Sequence, residues 1–145
     1  RIKHMFHSEE EIDRIGTGIL DHSLPKPDWT HAAHWAAAVW LLRHPDYDAE
    51  ADMPDIIRAY NMACGVKNTD TEGYHETITL ASLYIARRFL AASGPDAPMY
   101  EVVNALLDAG YSRSDWIFSY WSKEKLFTAQ ARRNWIGPDR EALPG

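Results

Sequence analysis

Cysteine is almost missing from this chain, with Cys64 standing alone among 145 residues. A lone thiol excludes an intrachain disulfide and a cysteine-rich zinc site, and it fits a reducing compartment. No apolar run approaches the roughly 20 residues that span a bilayer, and no apolar leader stretch opens the chain, so the expected location is the cytoplasm. Basic residues are also short. Fifteen Lys and Arg against 21 Asp and Glu leave a formal charge of −6, which excludes the broad basic face that nucleic acid or an anionic membrane requires. Glycine-rich phosphate loops, a Gly-x-Ser-x-Gly elbow and a dinucleotide fingerprint are all lacking, so no nucleotide cofactor is implied. No stretch alternates polar and apolar residues for long enough to require a sheet.

What is present describes a folded helical domain. Hydrophobic residues at 46% and charged residues at 25% are ordinary globular values. Six tryptophans and seven tyrosines add large packing surfaces with a polar tip. Arg1 to His4, ahead of Met5, read as an expression-vector remnant, so the single expected domain covers residues 6–145.

Helix signals recur along that span. Ser8 with Glu11 forms a capping box before Ile12, Ile15 and Ile19, predicting a first helix over Glu9 to Leu20. Leu24-Pro25-Lys26-Pro27 forces an extended connection. Asp28 or Thr30 then caps an alanine-rich helix running to Arg43. Asp46 to Asp52 reads as acidic and irregular, with Pro54 opening a third helix that Gly65 ends. Val66 to Gly73 has the composition of an ordered loop. A long helix over Tyr74 to Ala92 and another over Pro98 to Ala109 follow. Ser114 or Asp115 and then Thr128 cap two shorter ones, ending at Trp121 and Trp135, and Asp139 to Gly145 reads as a tail. The fold class is all-α, a compact single-domain bundle of about five to seven helices.

Chemistry concentrates at two helix starts. Trp29-Thr30-His31-x-x-His34 puts two imidazoles one turn apart on one face. Gly73-Tyr74-His75-Glu76-Thr77 begins the long helix, whose Thr79 and Ser82 continue a small polar stripe from His75. If these stripes face one another, His31, His34 and His75 can hold one divalent transition metal, with Zn, Fe, Mn and Ni equally compatible, and leave a position for water or substrate. Glu76 then moves protons and Tyr74 stands beside it as a second catalytic group. Adjacent helical residues point about 100° apart, so His75 and Glu76 share a site only where the helix begins.

Arg58, Tyr60 and Asn61, with Trp29, Asn68, Thr69 and Thr79, complete the candidate contacts for a small polar or anionic substrate, arginine being suited to bidentate recognition. Trp116, Phe118 and Trp121 read as packing or as a pocket wall, and a homodimer through Trp116 and Trp121 is compatible with them. Arg87-Arg88 and Arg132-Arg133 read as solvated helix faces, and Cys64 has no base beside it to make it a nucleophile.

The strings Trp29-Thr30-His31-x-x-His34, Tyr60-Asn61, Asn68-Thr69, Gly73-Tyr74-His75-Glu76-Thr77 and Ala131-Arg132 to Trp135 with Pro138-Asp139 resemble those of a family of small bacterial helical proteins. The resemblance covers most of the chain after Leu24 and implies an intracellular bacterial protein, with no reaction attached. The residues themselves leave three expectations: a metal-dependent hydrolase or lyase, a metal-free small-molecule binding or sensor module, and a helical protein-interaction domain.

Overall fold

The computed structural model describes residues 5–145, and Arg1 to His4 lie outside the described residues. Among the described residues there are seven α-helices and no strand. The first, α1 (Glu9–Asp21), starts at the expected cap, Ser8 accepting the Glu11 amide at 3.4 Å. The return arm of the box is displaced by one residue, since the Glu11 carboxylate accepts from the amide of His7 at 2.7 Å. The Leu24–Pro27 connection closes into a single 3₁₀ turn, Lys26–Asp28.

Helix α2 (His31–Arg43) is the centre of the molecule. Thr30 caps it, its hydroxyl accepting from the Ala33 amide. From Trp35 to Leu41 every residue is buried. A helix with no polar face must be covered on all sides, and α2 is packed against α1, α3 (Ala49–Ala63), α4 (Glu76–Ser93) and α5 (Met99–Leu106). Ala33, Ala36, Ala37 and Ala38 keep its surface small enough for those neighbours to come close. Arg43 fastens the far end, donating to the carbonyls of Ala97 and Gly94 at 2.5 and 3.0 Å across the α4–α5 turn.

Helix α3 begins earlier than its sequence predicts. Asp48 accepts from the Ala51 amide at 3.3 Å, and its own amide donates to Asp52 at 2.9 Å. The acids read as an irregular segment are therefore a helix cap and first turn, where negative charge meets the exposed amides. Pro54 sits inside the helix rather than at its start. Helix α4 is shifted the other way, starting at Glu76 with His75 outside it as the cap.

Beyond α5 the chain widens into one π-helical turn, Leu107–Tyr111, with Gly110 at φ 107°. It then forms a 3₁₀ helix, Ser114–Ser119, where an α-helix to Trp121 was expected. The short helices α6 (Lys123–Leu126) and α7 (Ala129–Arg133) follow, capped by Ser122 and Thr128. The first of these has no counterpart in the sequence reading. A small second core of Ala81, Ile117, Trp121 and Leu126 joins this region to α4.

The last residues are tied down rather than loose. Thr77, fully buried, donates to the Asn134 carbonyl and accepts from the Ile136 amide. Asp139 takes both the amide and the hydroxyl of Ser122, and the Tyr84 hydroxyl donates to the Pro144 carbonyl. No helix among the described residues is long and apolar enough to cross a membrane.

Gly16 marks the tightest helix contact. A Cβ at this position would lie 2.1 Å from Cδ2 of Trp40, whose indole donates to Asp13 at 3.0 Å. In an open helix, Gly→Ala stabilises by about 1 kcal/mol. Here the overpacking opposes it, and Gly16→Ala should destabilise the fold by roughly 1–3 kcal/mol net in urea unfolding.

Candidate functional site

His31 and His34 both border one pocket of about 360 Å³ between α2, α4 and the 3₁₀ helix. Trp35, Ile78, Trp116 and Ile117 supply its apolar walls, and Ser82 and Ser114 add two hydroxyls. The expected meeting of the α2 histidines with the α4 polar stripe therefore occurs at Ser82.

Each of the two histidines commits one ring nitrogen to a backbone carbonyl, but not the same nitrogen. Nε2 of His31 lies 2.8 Å from the carbonyl of Tyr111, and the indole N–H of Trp35 lies 2.9 Å from the same oxygen. A carbonyl only accepts, so both rings donate to it and His31 is oriented by the π-helical turn. In His34, Nδ1 donates to the Thr30 carbonyl at 2.7 Å, one helical turn back. That bond sets the tautomer and leaves the Nε2 lone pair with no partner among the described residues. One face of the His34 ring is stacked on Trp29 at 3.7 Å between centroids. Protein atoms that strip water from the ring hold its pKa well below the usual histidine value, His31 adds to the effect, and the Thr30 bond opposes it. His34 as a residue is exposed, so part of the ring also stays in contact with water. At neutral pH the ring is a neutral acceptor on the pocket wall.

His75 does not join them. Its Nδ1 accepts from the Ile78 amide at 3.2 Å, capping α4, and its Nε2 donates to the Leu126 carbonyl at 2.8 Å. Both nitrogens are committed, so the ring has no lone pair left for a metal. Among the described residues no group of three or more His, Cys, Asp or Glu side chains is arranged to hold a metal ion. The three-histidine centre expected from the sequence is thus not assembled. The physical reason is the helix start: an imidazole at the cap position folds back onto its own first turn. Burial is the main cause that lowers the pKa of His75, and Arg132 adds to it.

The other candidates divide into two groups, neither lining the pocket. Arg58, Asn61, Asn68, Tyr74 and Glu76 form a lattice where α3, the following loop and α4 meet. Asn68 is its hub: its Oδ1 accepts from Asn61 and from the Tyr74 amide, each at 3.0 Å, and its Nδ2 donates to the Arg58 carbonyl. The Tyr74 hydroxyl donates to Glu76 at 2.6 Å, and the Arg58 guanidinium lies 4.3 Å from the Tyr74 ring centre. Burial, with Glu76 beside it, pushes the Tyr74 phenol far up, while Thr79 opposes the shift. Thr69 closes the loop, its hydroxyl accepting from the amides of Thr71 and Glu72. Gly73 is required where it stands, at φ 82°, because a Cβ there would lie 2.2 Å from the Lys67 carbonyl oxygen. Trp29 and Tyr60 make the second group, edge to face at 5.5 Å, with the Tyr60 hydroxyl donating to the Leu24 carbonyl at 2.6 Å.

Sequence reasoning missed Tyr111, whose carbonyl orients His31, and the part Ser114 plays in the pocket wall. Their signal was present only as a helix stop at Gly110. Arg133 is exposed as its sequence reading expects, whereas Arg132 is half-buried rather than solvated. Arg132 donates to the carbonyls of Gly73 and Tyr74, and Arg133 pairs with Asp70, so together they pin the loop before α4. No family model, no curated protein and no solved structure matches the chain. The site's geometry therefore carries the functional argument by itself.

Two outcomes test this account of His75. His75→Ala should cost about 1–3 kcal/mol in urea unfolding, and His75→Asn, which keeps a capping acceptor but cannot reach Leu126, should cost less. The pH dependence has a definite sign. His34 and His75 have lowered pKa values when folded, so near the ordinary value of 6.5 the unfolded chain binds more protons. Stability should therefore be full above that value and fall as the pH drops below it, and His75→Asn should flatten the fall between about pH 7 and 5.

Proposed function

We propose that the protein binds a small, mainly apolar organic molecule carrying one hydrogen-bond donor, with His34 Nε2 as the acceptor. This is the metal-free binding reading. The observation that carries it is the unpartnered lone pair of a neutral imidazole on the wall of a 360 Å³ pocket. That volume is in the range of small-molecule sites, which are apolar with a few placed polar groups.

The walls narrow the ligand class. Trp116 is the half-buried aromatic wall, packed at 5.5 Å between centroids on the buried Trp35, and an aromatic guest can pack against it. A carboxylate or phosphate fits poorly, since a neutral histidine offers an anion no charge and no cationic side chain lines the pocket. The ligand expected from sequence as polar or anionic is accordingly revised to neutral and mostly apolar. Nε2 of His31 is taken by Tyr111, which leaves Nδ1 as that ring's acceptor.

Phenol and anisole, which share a ring but differ in the donor, give the test. Phenol should shift the tryptophan indole resonances saturably, anisole should bind about tenfold more weakly, and His34→Ala should erase the difference between them. Equal affinities for the two in the parent protein, or no saturable binding of phenol, would overturn the reading.

A further inference from the structure

Trp116 borders a second recess, of about 380 Å³, and its chemistry differs from that of the histidine pocket. Tyr111 and Tyr120 are its other aromatic walls. The Tyr111 and Trp116 rings meet at 66° with centroids 5.3 Å apart, and Trp116 and Tyr120 at 61° and 6.3 Å. Rings set steeply to one another form a corner in which more than one electron-rich face can be turned to the same guest. Asp115 supplies a carboxylate at the same recess.

The walls are held in place from behind. Tyr111 is fixed by its carbonyl, which takes the N–H groups of His31 and Trp35, and its ring is also packed edge to face on Phe89 and Trp35. The turn that delivers it, Leu107–Tyr111, ends the α5 segment at Gly110, whose φ of 107° is one that glycine adopts without strain. The recess is thus preformed and needs no ordering of the backbone to receive a ligand.

Two arginines bear on the charge. Arg113 lines the recess and pairs with Asp115 at 3.0 Å, but the two side chains are 75% and 54% exposed. An exposed pair of this kind contributes little and gives way readily. Arg88 acts on Tyr111 from α4 and is itself exposed. Against these stands the chain's formal charge of −6, which favours the approach of cations over anions.

From the ring geometry and the carboxylate together, we propose that this recess binds a methylated ammonium group, seated on the faces of Tyr111, Trp116 and Tyr120 with Asp115 as counter-ion. Aromatic walls attract such a cation through their quadrupoles, and the Asp115 carboxylate adds an opposite charge at the same recess. Arg113 holds Asp115 when the recess is empty and is displaced from it by the guest.

Choline and its carbon isostere, in which carbon replaces the quaternary nitrogen, are the probes, titrated into the whole chain by calorimetry. Choline should bind saturably and roughly tenfold or more tightly than the isostere. Tyr120→Phe keeps the ring and should retain binding, while Tyr120→Leu should lose most of it. Asp115→Asn should weaken choline several-fold, and Arg113→Ala, which frees the carboxylate, should strengthen it. His34→Ala should leave choline binding intact, so this proposal and the histidine-pocket reading fail separately. Equal affinity for choline and the isostere, or equal loss in Tyr120→Phe and Tyr120→Leu, would overturn it, as would absence of saturable choline binding.

Discussion

The structure depends on the burial of one helix from every side. Between Trp35 and Leu41, α2 has no residue left in water, so it cannot lie on a surface and the other long helices must arrange themselves around it. Alanine makes that arrangement tight. Gly16 on α1 yields further space to Trp40, and the bulky rings of Trp35 and Trp40 settle where the small residues leave room. The two ends of α2 escape full enclosure, and at its first turn the polar residues Thr30, His31 and His34 appear. The location of the candidate pocket follows from the same constraint that builds the core.

A single backbone oxygen then links the core to both recesses. The Tyr111 carbonyl receives Nε2 of His31 and the indole of Trp35, so the first turn of α2 and the turn after α5 are set relative to one another by paired hydrogen bonds. Trp116, packed between Trp35, Tyr111 and Tyr120, forms a partition with the histidine pocket bordering it and the aromatic recess bordering it too. Occupation of either recess bears on the position of this one ring.

Long helices were legible in the sequence because their signals are local. The Ser8 cap, the Thr30 cap, the stop at Gly65 and the isoleucine stripe of α1 all appear as their residues require. What escaped was decided by partners distant in sequence or by exchange of roles at a helix end. Asp48 and Asp52 looked like irregular acids until their bonds to nearby amides made them a cap. His75 looked like a ligand because its neighbours are polar, yet its ring is consumed by Ile78 and Leu126. Tyr74 and Glu76 were brought together as expected, but within the Asn68 lattice rather than beside His31 and His34. No periodicity reveals that a carbonyl at Tyr111 will orient an imidazole eighty positions earlier.

The first turn of α4 carries a further consequence. His75 reaches 51 residues ahead to Leu126, and Thr77 reaches 57 ahead to Asn134. During synthesis, then, these side chains emerge long before the groups they bind, and the small core around Trp121 has nothing to close it. The wall of the histidine pocket made by Ser114, Trp116 and Ile117 belongs to that late segment. A nascent chain that ends before Leu126 and Asn134 therefore holds the α2-centred helical core while the first turn of α4 still lacks both of these partners.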